Sequence, residues 1–101
     1  MSTGPSAAVR VTVVPAPACH FCEDADHALA ELAATFRFDL EHVPADTPEG
    51  RRLIAVHRPA LTPLVLVDGD YFSAGRLPRK KLTKLLTARG ARLEAVPADG
   101  R

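Results

Sequence analysis

Two cysteines stand three positions apart in the run Cys19-His20-Phe21-Cys22, and the chain of 101 residues has no others. On a helix, residues at this spacing share a face, with β-carbons roughly 5–6 Å apart. A small adjustment of the first turn then brings two sulfurs to bonding distance, about 2.05 Å. Such a pair opens and closes without moving the fold. As a staple it would be poor, because closing so short a loop removes little entropy from the unfolded chain. Two cysteines are also too few for a disulfide-stapled scaffold, and a reducing cytosol does not keep a persistent bridge. What remains is redox chemistry, a soft-metal pair or an inert surface pair. Zinc normally takes four ligands; beyond the two cysteines there are four histidines and no second ligand cluster. Redox use leads, and no metal site is assigned.

Position in a helix tunes such a thiol. Val9 to Val14 (VRVTVV) is rich in β-branched residues and reads as a strand. Pro15-Ala16-Pro17-Ala18 ends it, since proline cannot donate to a ladder. A helical pattern begins at Cys19, with Cys22, Ala25, Leu29, Leu32 or Ala33, and Phe36 on one face. Cys19 therefore meets the unpaired N–H groups and the positive end of the helix dipole, worth about 0.3–1 kcal/mol and up to ~2 when partly buried. One pKa unit is about 1.36 kcal/mol, so the thiol is expected roughly one unit below ~8.5. A protonated His20 would add to this; Glu23, Asp24 and Asp26 oppose it. Cys19 is the expected nucleophile and Cys22, one turn in, the resolving thiol. His20 is read as tuning Cys19 or as a solvated histidine, and Phe21 as a lip of substrate contact.

Further along, Phe38, Leu40 and His42 alternate with Arg37, Asp39 and Glu41, as in a half-buried strand near a sheet edge. Thr47 is an N-cap and Pro48 a first helical residue, for a short helix carrying Leu53, Ile54 and His57 that stops before Pro59. Leu64 to Val67 (LVLV) reads as a strand covered on both faces. Asp68-Gly69 is a hairpin turn, leading into a short strand through Tyr71 and Phe72. Pro78 opens a last helix with the stripe Leu82, Leu85 and Leu86, which Gly90 ends. The order is β-α-β-α-β-β-α. The first two strands pair in parallel through a right-handed crossover, and the last two form an antiparallel hairpin. An α/β fold with a mixed four-stranded sheet and helices on both faces follows.

A C-x-x-C at a helix start, followed about forty residues later by Thr62-Pro63 leading into an apolar strand and an Asp-Gly hairpin, resembles the glutaredoxin-like branch of the thioredoxin fold. The landmarks are CHFC, RPALTPLVLVDG and SAGRLPRKKLTKLL, and the resemblance runs from about Val9 to Leu86. The mixture is most similar to small bacterial glutaredoxin-family proteins. The resemblance implies a cis bond between Thr62 and Pro63. It also implies a Thr62 backbone turned toward Cys19 to pair with an extended substrate segment, with Pro63 as a wall against the disulfide. With His20, Phe21 and Gly75, these residues form the expected substrate-binding set. No cofactor is built in, and the redox-active group is the Cys19–Cys22 disulfide. Glutathione-dependent members carry a lysine shortly before the first cysteine, where this chain has Pro15 to Ala18. They carry paired glycines and then acids at the last helix, where this chain has Ala74-Gly75 and then Arg76, Leu77 and Pro78. These departures count against glutathione. They leave another low-molecular-weight thiol or a thioredoxin-reductase-like protein open as the electron donor.

Composition bounds the rest. The length allows one domain, read as residues 9–90 between a disordered leader (1–8) and a tail (91–101). A hydrophobic fraction of 47% with 25% charged residues is ordinary for a globular protein. The net charge of +1 and the 5% aromatic content do not point to nucleic acid. No apolar run nears the roughly 20 residues of a membrane span, and Met1 to Ala8 lacks a signal-peptide pattern. A cytoplasmic monomer is expected, with a disulfide-containing protein or small thiol as substrate. Arg58 falls near the proline loop, as a carboxylate contact or a plain surface arginine. Arg76, Arg79, Lys80, Lys81, Lys84, Arg89 and Arg92 form a basic stretch, read first as a solvated face and second as a docking face for an acidic partner. Two other functional readings compete. One is a copper(I) or zinc carrier using the two thiolates, although small copper carriers place a methionine shortly before the cysteines and the only methionine here is Met1. The other is a redox-inert binding module.

Overall fold

The computed structural model describes residues 9–93; the leader (1–8) and most of the expected tail (94–101) lie outside them. The elements are β1 (Val9–Val14), α1 (His20–Leu32), β2 (Phe38–His42), α2 (Pro48–His57), β3 (Leu64–Val67), β4 (Asp70–Ala74) and α3 (Arg79–Ala88). The sheet order is β2-β1-β3-β4. β1 pairs in parallel with β2 and antiparallel with β3, and β3 pairs antiparallel with β4. The order, the parallel first pair and the closing hairpin are those expected from the sequence.

The two central strands divide their side chains between two cores, because successive side chains point to opposite faces. Val11, Val13, Val65 and Val67 pack with Ala25, Ala28 and Leu29 of α1 and with Leu82 and Leu86 of α3. Val14, Leu64 and Leu66 pack on the other face with Leu53 and Ile54 of α2. This is the physical content of the LVLV run. Each fully buried leucine removes apolar area worth about 1.5–3 kcal/mol from water, so Leu29, Leu82 and Leu86, all at 1% exposure or less, clamp α1 and α3 onto the sheet.

Local signals set the element ends. The Thr47 hydroxyl accepts from Gly50 N–H at 3.0 Å and donates to the Pro44 carbonyl at 2.7 Å. Gly50 is buried, and a β-carbon there would overlap the Pro44 carbonyl oxygen. Asp68 and Gly69 have φ of 51° and 87°, both positive, as a two-residue type I′ hairpin needs. At the end of α3, Gly90 N–H donates to Thr87 and Ala91 N–H to Leu86, each at 3.0 Å, with Gly90 at φ 70°. This is a Schellman cap.

Three details differ from the expectations. In β2 only Phe38 is half-buried; Leu40 is 42% exposed and His42 is exposed. β2 is an edge strand; Phe38 packs against the core that includes α1, while His42 meets α1 only at the surface, through Asp26 at 3.0 Å. Phe36 is buried but follows the end of α1. The packed chain also continues past the expected boundary at Gly90. Ala91 is buried, Arg37 N–H donates to the Ala91 carbonyl at 2.6 Å, and Leu93 N–H donates to Thr35 at 2.8 Å, so residues 91–93 belong to the fold rather than to a tail.

Candidate redox site

β1 runs to Val14, and four residues carry the chain from the sheet to the N-terminus of α1. Ala18 is left-handed, with φ 51°, a conformation costing an L-residue of order 1–2 kcal/mol. It turns the chain so that Cys19, in extended conformation at φ −115° and ψ 106°, becomes the N-cap of α1. Asp, Ser or Thr usually fill that position, their oxygen accepting from the first-turn N–H groups. Here a sulfur does so: Cys22 N–H donates to Cys19 Sγ at 3.1 Å.

Cys19 and Cys22 are joined as a disulfide, with Cα atoms 5.2 Å apart. The two are not equivalent. Cys19 is half-buried at the mouth of the turn, whereas Cys22 lies on the buried stripe of α1 at 7% exposure.

A second segment reaches the sulfur from the far side of the chain. The Thr62–Pro63 peptide bond is cis, and Thr62 Oγ1 lies 3.4 Å from Cys19 Sγ. A disulfide sulfur has no proton, so the threonine hydroxyl is the donor. The Thr62 carbonyl oxygen is 3.6 Å from the same sulfur. Pro63 is buried and opens β3. Its carbonyl accepts from Gly75 N–H at 3.0 Å, which ties the proline loop to the end of β4. Gly75, at φ 90°, lies under Leu61; a β-carbon there would come within 3.0 Å of Leu61 Cδ1.

Of the residues singled out in the sequence, Cys19 therefore touches both Cys22 and Thr62, and Pro63 follows Thr62. Gly75 acts one hydrogen bond away, as a support of the loop. His20 and Phe21 sit on the exposed rim of the α1 first turn, Phe21 at 41% exposure, and neither hydrogen-bonds a sulfur. Arg58 is exposed and forms the left-handed C-cap of α2. Two contributors carry no sequence signal. Ala18 is a left-handed residue that is neither glycine nor asparagine, and Leu61, 55% exposed, covers Gly75 only because β4 returns beside the proline loop.

Among the described residues, no group of three or more His, Cys, Asp or Glu side chains is placed to hold a metal ion, and no helix is long and apolar enough to cross a membrane. A cleft of about 690 Å³ lies on the α2 face and includes Arg10, Asp68 and Gly69, at the end of the sheet away from the disulfide. Element order and mixed sheet together fit a thioredoxin-like fold. No protein-family model matches the chain, and no curated protein is significantly similar to it.

Proposed function

We propose that this protein is a thiol–disulfide oxidoreductase of the glutaredoxin-like kind, working through Cys19 and Cys22. The observation that carries the reading is the asymmetry of the pair: an accessible cap sulfur that receives two hydrogen bonds, bonded to a buried neighbour one turn in.

In the reduced protein the same donors, Cys22 N–H and Thr62 Oγ1, favour an anionic Cys19 sulfur over the neutral thiol. The Cys19 thiolate attacks one sulfur of a substrate disulfide. A Cys19–substrate bond forms as the substrate bond breaks, and the first substrate thiolate leaves. The Cys22 thiolate then attacks Cys19 Sγ, which closes the Cys19–Cys22 disulfide and releases the second substrate thiolate. Two electrons and two protons pass from the protein to the substrate. An external thiol or reductase returns them, and no built-in cofactor is needed. Thr62 flanks the sulfur, with the buried Pro63 behind it, and the Thr62 carbonyl is available to an extended substrate backbone. A monomer acting in the cytoplasm on a protein or small-molecule disulfide completes the reading.

Serine variants test it. Cys22→Ser keeps the attacking sulfur and lacks the resolving one, so it should accumulate mixed disulfides resolvable on a non-reducing gel; Cys19→Ser should not. Trapping by Cys19→Ser alone reverses the two roles, and trapping by neither removes the activity. Reduction of the oxidised protein, in parallel, by glutathione with its reductase and by a thioredoxin reductase identifies the electron donor.

A further inference from the structure

The basic stretch of the sequence is sorted by the fold into neutralised and free charges. Arg79 is held by Asp24 and Glu31, each at 3.3 Å. Arg89 pairs with Asp68, and Lys81 lies 5.3 Å over the Phe72 ring. Arg76, Lys80 and Lys84 are exposed and meet no carboxylate among the described residues.

Arg92, past the end of α3, is exposed and likewise meets no carboxylate among the described residues; Arg76, Lys80 and Lys84 lie together. Arg76, Arg79, Lys80 and Lys81 line a cleft of about 680 Å³ whose single acid is Asp24, already held by Arg79. Arg79 and Lys80 also line a second cleft of about 500 Å³ with Thr83 and Lys84. Sharing this pair, the two clefts are neighbours and together form a cationic groove on α3. Its near end adjoins the redox site through covalent and hydrogen-bonded neighbours: Arg76 follows Gly75, Gly75 N–H is bonded to Pro63, and Thr62 touches Cys19. Phe21 and Leu61, both exposed and apolar, are not among the residues lining either cleft.

We infer that this groove docks an acidic segment of a protein partner, so that a disulfide flanked by carboxylates is presented to Cys19. The inference rests on the redox reading and names the substrate class of the same site. Charge complementarity of this kind acts on encounter and orientation, and it weakens with salt. A protein partner is favoured over nucleic acid because the groove leads to a sulfur, which needs a disulfide to react with. No aromatic residue lines either cleft, whereas single-stranded nucleic acid binds on stacking platforms.

The test uses two oxidised peptides, identical except that the residues flanking the cystine are glutamates in one and lysines in the other. The reduced protein converts each peptide disulfide to a dithiol and becomes the Cys19–Cys22 disulfide; dithiothreitol supplies the electrons and protons for the next turnover. Each rate is divided by the rate with a small neutral disulfide. At low ionic strength the acidic peptide should react about tenfold faster, within the range of electrostatic steering, and most of the difference should vanish at high salt. The exposed triple variants R76Q/K80Q/K84Q and R76E/K80E/K84E should abolish and reverse the preference. Equal rates for the two peptides, or a preference untouched by the variants, overturns the inference.

A cysteine-free acidic peptide, followed by fluorescence anisotropy, reads the surface separately. If it binds while neither disulfide peptide nor the neutral disulfide is reduced, the redox reading fails and the surface stands. If an oligonucleotide of equal charge displaces it at lower concentration, the groove belongs to nucleic acid and the inference falls.

Discussion

Replacing Thr62 by valine removes the hydroxyl that donates to Cys19 Sγ at 3.4 Å while keeping a β-branched side chain beside the sulfur. A hydrogen bond to a charged group contributes about 1.5–3 kcal/mol. For this long bond to a half-buried sulfur, about 1 kcal/mol of thiolate stabilisation is a fair share of that. The sign follows from the charged form: losing a donor disfavours the thiolate, so the Cys19 thiol of the variant should be less acidic than the parent's. About 1 kcal/mol lowers the thiolate fraction roughly fivefold at pH values below the pKa. A more basic thiolate is also a better nucleophile, and with a Brønsted coefficient of about 0.4–0.5 each remaining thiolate reacts about twofold faster. Thr62→Val should therefore slow exchange with a small neutral disulfide only about two- to threefold at pH below the pKa, and should exceed the parent by about twofold once both are fully ionised. Thiolate absorbance against pH, measured in a Cys22→Ser background so that only one thiol titrates, gives the shift directly. Superimposable titrations, or a variant slower by one factor at every pH, would refute the assignment of the hydroxyl as a thiolate donor.

Other substitutions probe the frame that holds the site. Gly50→Ala drives a methyl into the Pro44 carbonyl at the start of α2 and should cost at least about 2 kcal/mol in urea denaturation; a loss under about 0.5 kcal/mol would show that the turn relaxes. Thr47→Ala removes the cap hydroxyl from the same helix end, with an expected loss of about 1 kcal/mol in the same measurement. Ser73 Oγ is buried with no hydrogen-bond partner among the described residues, so Ser73→Ala should leave stability unchanged or raise it by about 1 kcal/mol, read as an upward shift of the thermal midpoint. A clear loss there would mean that the hydroxyl is satisfied by water.

What the chain declares by itself is what depends on neighbours in sequence. The β-branched run of β1, the Thr47-Pro48 start of α2, the Asp68-Gly69 turn and the Gly90 stop are local, because a cap or a turn needs only the dihedral preferences and hydrogen bonds of a few adjacent residues. The cysteine pair was legible for the same reason, since three-residue spacing on a helix is itself a geometry. The LVLV run announced a doubly covered strand, but not that α2 takes Leu64 and Leu66 while α1 and α3 take Val65 and Val67. Solvent exposure along β2 was misjudged because an alternating pattern reports which faces differ, not how far a helix extends over them. The nearness of Thr62 to Cys19 was legible only through the family resemblance, not from any local preference, and the Gly75 prop and the division of the basic stretch into held and free cations came only with the tertiary structure. Each joins residues from different elements, and no local preference encodes which strand returns beside which loop.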